Sequence, residues 1–265
     1  METHGGTGFA PRTLGRTNLT VGALGISASY GVPTAAVERA FDAGMNYVYW
    51  GSWRRSAFGE AIRNLAPRRD RMVLVLQSYN PFARGIVYAV ERGLRSLKLD
   101  HADVLLLGMW NRPVPERIRA ACRLLKERGL VRHVAASTHN RPVIARQARD
   151  PEIDIFHVRY NAVHAGAERD VFPHLPQENP PGIVAFTATS WKQLLDPRRV
   201  PDGERVPTAA DCYRFVLSNP AVHVCLTGPA TSEHVDQAIR ALAQGPMTAD
   251  ELAWMRRVGQ AIYGK

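Results

Sequence analysis

Cysteine is scarce in this chain, long hydrophobic runs are missing, and no stretch is dominated by serine, glycine or a short repeat. The three cysteines, Cys122, Cys212 and Cys225, are odd in number, widely separated and set within apolar-periodic segments. That distribution argues against a disulfide framework and against a zinc cluster, and predicts buried thiols. The longest apolar runs, Met72 to Leu76 and Val104 to Leu107, are far too short to cross a bilayer. The polar stretch Met1 to Arg12 lacks the apolar segment of a secretory signal. A cytoplasmic protein without membrane association is therefore expected. With no linker-like segment or low-complexity block, residues 1–265 are expected to form a single domain.

What is present is ordinary for a folded protein: 45% hydrophobic and 22% charged residues. A net charge of +10 and a pI near 10.0 raise the question of nucleic-acid binding. The arginines, however, are spread over almost every predicted helix and do not gather on one segment with interleaved aromatics. A solvated basic exterior accounts for the charge, so a small-molecule ligand is expected as partner and no nucleic acid. The histidines show no metal-ligand spacing, so no metal is expected. Oligomeric state is left open.

Short β-rich runs alternate with amphipathic helical stretches along the whole chain, the pattern of parallel βαβ construction. Strands are predicted at Ala23 to Ser27, Asn46 to Trp50, Met72 to Gln77 and Ala102 to Leu107. The series continues at Val131 to Ser137, Ile155 to Arg159, Gly182 to Thr187 and Val222 to Leu226. A helical stretch is expected after each. The segment Pro115 to Arg128 carries Ile118, Ala121, Cys122 and Leu125 on one helical face, with Gly129 as its stop. Ser232 to Ala243 places Val235, Ala238, Ile239 and Leu242 likewise, and Thr248 with Glu251 reads as a capping box opening a last helix. Eight strand-helix units in an undivided chain predict an α/β fold, a (β/α)8 TIM barrel. Thr13 to Val21 is expected to be a hairpin closing the N-terminal mouth at the bottom of the barrel, and a C-terminal helix completes it.

In such a barrel the chemistry sits at the C-terminal strand ends. That rule selects Tyr49, Trp50, Gln77, Ser78, Tyr79, Met109, Trp110, Asn111, Ser137, His139, Arg159, Tyr160, Asn161, Thr187 and Thr189. His139 is the strand-end histidine best placed for general acid–base work. Arg159, if it faces the mouth, needs either an anionic ligand or an internal partner such as Glu168 or Asp170. Tyr49 and Trp50 are read as packing or as substrate contacts, and Trp110 and Asn111 as a pocket wall or the start of a turn.

Several separated segments resemble the aldo-keto reductase superfamily, in the right order and over nearly the whole chain. They are Leu14-Gly-Arg-Thr-Asn-Leu-Thr-Val, Ala43-Gly-Met-Asn-Tyr-Val, Leu99-Asp-His-Ala-Asp-Val-Leu-Leu-Leu and Gly129-Leu-Val-Arg-His-Val-Ala-Ala-Ser137. Tyr160-Asn161, and Gly228 followed by Glu233-His-Val-Asp-Gln, complete the set. The resemblance implies a TIM barrel and NADP(H)- or NAD(H)-dependent reduction of a small carbonyl by an Asp, Tyr, Lys and His tetrad. Those positions fall here on Tyr49, Arg54, Gln77 and Gly108. A non-standard proton donor, Tyr49 or Tyr79 with Arg54 or Arg159 as electrostatic partner, is implied if the chemistry persists.

For the cofactor, the resemblance assigns Ser137, Thr138 and Arg159 to the nicotinamide end and Thr187 to the start of the pyrophosphate loop. Gly228, Thr231, Ser232 and His234 fall at the last βα junction, where a helix N-terminus can meet phosphate, and the Lys, Arg and Asn that the resemblance implies for the adenosine phosphate and base align with Gly228, His234 and Ala238. Trp50, Tyr79, Trp110 and Asn111 complete the expected substrate pocket. Weak or absent cofactor binding is the alternative. It goes with a cofactor-free cyclase, lyase or isomerase on the same barrel, or with a non-catalytic binding or regulatory protein.

Overall fold

The computed structural model describes residues 8–51 and 55–263. Strands β1 (Arg12–Thr13) and β2 (Thr20–Val21) form an antiparallel hairpin. Then β3 (Leu24–Ser27), α1 (Thr34–Asp42), β4 (Tyr47–Trp50), α2 (Ser56–Asn64), β5 (Val73–Ser78) and α3 (Ala83–Leu97) alternate. They are followed by β6 (Ala102–Leu107), α4 (Glu116–Glu127), β7 (Val131–Thr138), α5 (Arg141–Gln147), β8 (Ile155–Arg159) and α6 (Ala167–Asp170). The chain ends with β9 (Gly182–Phe186), α7 (Ala209–Leu217), β10 (Val224–Thr227), α8 (Ser232–Gln244) and α9 (Ala249–Tyr263). Strands β3 to β10 run parallel, and β10 pairs with β3 to close a barrel of eight. This is the (β/α)8 architecture the strand pattern predicts.

Alternation along each strand sorts the side chains into two layers. Tyr47, Tyr49, Val73, Val75, Val104, Leu106, Ala135, Ile155, Val184 and Val224 fill the barrel interior. The residues between them, such as Val48, Leu74, Leu105, Ala136, Phe156 and Ile183, pack outward against the helices. Both faces being buried explains why the strands read as near-continuous apolar runs.

The hairpin closes the bottom. Leu14 is fully buried and joins the interior cluster, while Arg12 donates to the carbonyl oxygen of Val222 at 3.2 Å just ahead of β10. The backbone of Gly15, at φ +50°, lies so close to Gly182 that a Cβ would stand 2.2 Å from its nitrogen. Glycine is required there by space as well as by φ.

Helix boundaries follow their local signals. Gly129 takes φ +69° after α4, the left-handed stop its position predicts. Thr248 Oγ1 accepts from the Glu251 amide at 3.2 Å while Glu251 Oε2 accepts from the Thr248 amide at 2.8 Å, the expected capping box of α9. The three cysteines are buried and unpaired with one another.

The expectation of a helical stretch after every strand is met only in reduced form on one side of the barrel. After β8 the chain forms only the short α6 and a 3-10 turn, and β9 leads through a 3-10 turn at Gln193–Leu195 and a long loop to α7. Pro173, Pro176, Pro180 and Pro181, then Pro197, Pro201 and Pro207, lack the N–H a helix needs. Among the described residues, no helix is long and apolar enough to cross a membrane.

Candidate active site

A cavity of about 580 Å³ opens at the C-terminal mouth, lined among others by Ser27, Tyr49, Gln77, Ser137, His139 and Thr187. The register explains the convergence: Ser27 pairs with Tyr49 and Ser137 with His157, so inward-pointing side chains meet at one level. Aromatic rings from Tyr30, Tyr79, Phe186, Trp191 and Tyr213 enclose the space, and no Asp or Glu is among its described lining residues.

Two phenols stand one above the other on β4. The Tyr49 hydroxyl donates to Gln77 Oε1 in a short hydrogen bond. Below it, the Tyr47 hydroxyl and His157 Nε2 share a hydrogen bond of 2.8 Å, fully buried. Burial is the first cause, and the neighbouring Tyr79 phenol the second, that pushes the Tyr49 pKa well above its usual value. Burial holds His157 down at about 3, so its imidazole is neutral. The His157 ring also faces Tyr49, with centroids 6.2 Å apart.

Two glycines that stand where the resemblance has bulky polar side chains are covered by tyrosine rings. A Cβ built on Gly108 would lie 2.3 Å from ring carbons of Tyr79, and one on Gly228 would lie 2.7 Å from the ring of Tyr30. Tyr79 therefore fills the space of any side chain at position 108, where the resemblance implies a histidine, and Tyr30 that of any side chain at position 228, where it implies a lysine.

The β9 side of the mouth has unusual backbone. Thr187 adopts φ +63°, an outlier for a β-branched residue, and its buried Oγ1 has no hydrogen-bond partner among the described residues. Ser190, Trp191 and Lys192 then follow in succession at φ +48°, +52° and +72°. Asn161 Nδ2 donates to the Thr187 carbonyl oxygen at 2.7 Å and so anchors the turn.

The remaining expected site residues divide. His139 lines the cavity with its ring edge-on to Phe186 at 6.1 Å, and burial first, then the Arg159 charge, lowers its pKa. Ser137 lines it too, its Oγ accepting from the Met109 amide at 3.1 Å. His234 is present with Nδ1 accepting from the Ala230 amide at 3.2 Å, and Gly228 lies beneath Tyr30. Arg159 is not itself a lining residue; it stands behind the rim, its Cζ 5.8 Å from the ring centroid of the cavity residue Trp191.

Other placements correct the expectation. Trp50 points the opposite way from Tyr49, as strand alternation demands, and packs beneath α2 against Gly59. Thr138 alternates outward from Ser137: its hydroxyl donates to Asn111 Oδ1 at 3.0 Å and it is not part of the cavity wall. Asn111 also accepts from the His139 amide at 3.0 Å, so it ties two loops together. Trp110 and Asn111 border a separate cavity with Tyr79, Pro81, Gly108 and Arg112. Thr231 caps α8 by accepting from the His234 amide at 3.3 Å, and the Ser232 carbonyl oxygen receives Arg39 at 3.1 Å; neither side chain lines the mouth. Arg54 lies outside the described residues.

The strand-end rule missed His157, Trp191, Lys192 and Tyr30. For His157 the signal was available: Ile155, His157 and Arg159 alternate on one face, and Ile155 belongs to the interior. Nothing local marks Trp191, which reaches the mouth only through the left-handed turn.

A closed parallel barrel with its cavity at the C-terminal strand ends defines a TIM-barrel protein of the kind that hosts small-ligand chemistry. The chain belongs to the aldo/keto reductase family, whose model matches residues 14–203. The aldo-keto reductase AKR11C1 from Bacillus halodurans, in its holo form, superposes with a TM-score of 0.78 at 22% identity, covering 96% of this chain and 97% of that one. An aldo/keto reductase from Klebsiella pneumoniae, solved in complex with NADP and acetate, gives 0.76 at 22% identity, over 94% and 96% of the two chains. No curated protein sequence matches the chain.

Proposed function

We propose that the protein is an oxidoreductase that uses NADP(H) or NAD(H) to reduce a small carbonyl compound, with Tyr49 as the proton-bearing group. Family membership supports the reading, as does the NADP held by the Klebsiella pneumoniae relative. The single observation that carries it is Thr187, whose buried hydroxyl lacks a partner among the described residues on a strained backbone at the cavity wall. A buried donor left unpaired costs about 1–3 kcal/mol, a cost that a ligand recovers when the Thr187 side chain turns its hydroxyl toward the cavity. Ser137, Thr187, Trp191, Lys192 and His234 are the residues that would hold the dinucleotide, along a wall with no carboxylate among its described residues to repel it. A nicotinamide held there would supply the hydride for a carbonyl carbon. Tyr30 over Gly228 leaves no room for a lysine at the adenosine-phosphate position, which favours little discrimination between NADP(H) and NAD(H).

The proton comes from Tyr49 itself, which is left as a phenolate held by a Gln77 N–H until solvent at the open mouth returns a proton. The Gln77 amide accepts from Tyr49 through Oε1, and a half-turn of that amide replaces the acceptor with an N–H donor. Tyr49 then has its hydrogen available for a ligand oxygen in the cavity. A neutral amide cannot lower the phenol pKa as an ammonium would, so turnover is expected to be slow. Neutral His139 is not a cationic acid at pH 7 and serves as a polar wall.

One observation favours a second reading, a ligand-binding protein without turnover: the Tyr79 ring fills the space above Gly108, and Tyr49 is already bonded to Gln77. The experiment is oxidation of NADPH and NADH in the presence of small aldehydes and ketones, with Tyr49→Phe as comparison. Carbonyl-dependent oxidation lost in Tyr49→Phe supports the reductase. Cofactor binding without oxidation supports the second reading.

A further inference from the structure

Arg159 ends the inward-facing row Ile155, His157, Arg159 of β8 and stands behind the rim of the mouth beside Trp191. Two acids lie close enough along the chain to neutralise it, and both are engaged elsewhere. Glu168 holds Arg256 through both oxygens at 2.9 Å and also receives the Tyr160 hydroxyl. Asp170 binds Arg141 at 2.8 Å and Arg169 at 2.7 Å. Among the described residues Arg159 has no ion-pair partner, and the cavity it overlooks has no carboxylate among its described lining residues.

A half-buried guanidinium retained without a counter-ion is costly, and the contact with the Trp191 ring, 5.8 Å to its centroid, offsets only part of that. Its charge acts inward: after burial, Arg159 is the next cause lowering the pKa of both His139 and His164, which stand on the two loops flanking it. These imidazoles are neutral at pH 7 and do not compete for an anion. The Trp191 face and the Phe186 ring beside His139 supply an apolar surface next to the charge.

We propose that Arg159 is an anion-binding, specificity-determining residue, and that the ligand taken at the mouth is a carbonyl compound carrying a carboxylate, an oxo acid, held by Arg159 over the Trp191 ring. The planar fork of arginine fits a carboxylate by paired hydrogen bonds, which lysine cannot reproduce. The oxo part of the assignment rests on the reductase reading above; the carboxylate part does not. A diphosphate could answer to the same charge, so the test separates the two sources.

The experiment is binding of benzoate, its neutral ester methyl benzoate and inorganic pyrophosphate to the protein without cofactor. Tryptophan emission reads affinity, and proton NMR reads the titration of His139 and His164. Benzoate is expected to quench emission and to move both histidine midpoints upward, because it neutralises the Arg159 charge. Methyl benzoate is expected to do neither. Arg159→Gln is expected to weaken benzoate by roughly tenfold or more, with Arg159→Lys intermediate, while circular dichroism stays unchanged. Equal binding of acid and ester, or unweakened benzoate binding in Arg159→Gln, would overturn the proposal. So would pyrophosphate moving the two histidines where benzoate does not. Since no dinucleotide is present, failure of the reductase reading leaves these outcomes unaffected.

Discussion

The Tyr79 ring occupies the volume that any side chain at Gly108 would need, with a built Cβ only 2.3 Å from two ring carbons. The bare Cα of Gly108 at the end of β6 leaves the space into which the Tyr79 ring at the end of β5 leans. Tyr79 and Met109 line both the mouth cavity and the cavity bordered by Trp110 and Arg112.

Gly108→Ala is accordingly expected to displace that ring. Because Tyr79 is 52% exposed and free to swing outward, the cost is expected near the low end for overpacking, about 1 kcal/mol. In a Tyr79→Ala background the same substitution is expected to cost less, with only Gln77 Nε2, 3.0 Å from the added Cβ, left to give way. Denaturant unfolding of the wild type, both single variants and the double variant measures the coupling. Additive effects would contradict the contact.

Gln77→Lys places an ammonium beside the Tyr49 phenol. An opposite charge within hydrogen-bonding reach lowers a phenol pKa by about 1–3 units, against the upward push of burial. Tyrosinate absorbance, taken as the difference between Gln77→Lys and Gln77→Lys/Tyr49→Phe, is expected to appear at lower pH than the matching difference in the wild type. An unshifted ionisation would show that the side chains at 77 and 49 do not communicate.

His157 makes a distinct contribution to acid sensitivity. Its folded pKa is about 3, below the ordinary value of 6.5, so between those limits the unfolded chain binds a proton that the folded chain refuses. Stability therefore falls as pH drops below about 6.5, by about 1.4 kcal/mol per pH unit for this one group, until the folded pKa is reached. His223, held to about 4 mainly by burial, adds to the same trend. His157→Gln is expected to remove one proton's share of the slope in urea titrations run from pH 7 to 5. An unchanged slope would contradict the buried neutral imidazole.

The barrel was legible because both faces of its strands are buried, which writes Val, Leu and Ile into short separated runs such as Val73 to Leu76 and Ala102 to Leu107. Alternation also fixed which strand-end residues face inward, and Tyr49, Gln77 and Ser137 do meet at one cavity. Trp50 and Thr138 lie one residue from those positions and so face the helices; a list of strand ends that ignores the two-residue period cannot exclude them. The β9 turn was not legible. Three consecutive left-handed residues, Ser190, Trp191 and Lys192, carry no glycine to announce them, and only the tertiary setting holds them there. The tyrosine-on-glycine contacts at Gly108 and Gly228 join residues distant in sequence and have no local signature.

The most direct measurement of the central claim is titration of the intact protein with NADPH and with NADH, following tryptophan emission. Trp191 lines the mouth and is 53% exposed, so a dinucleotide seated along the Thr187 wall must alter its surroundings. Quenching that saturates in the micromolar range for both cofactors, roughly −8 kcal/mol of binding, is the expected result. No change in emission at millimolar cofactor would contradict the account.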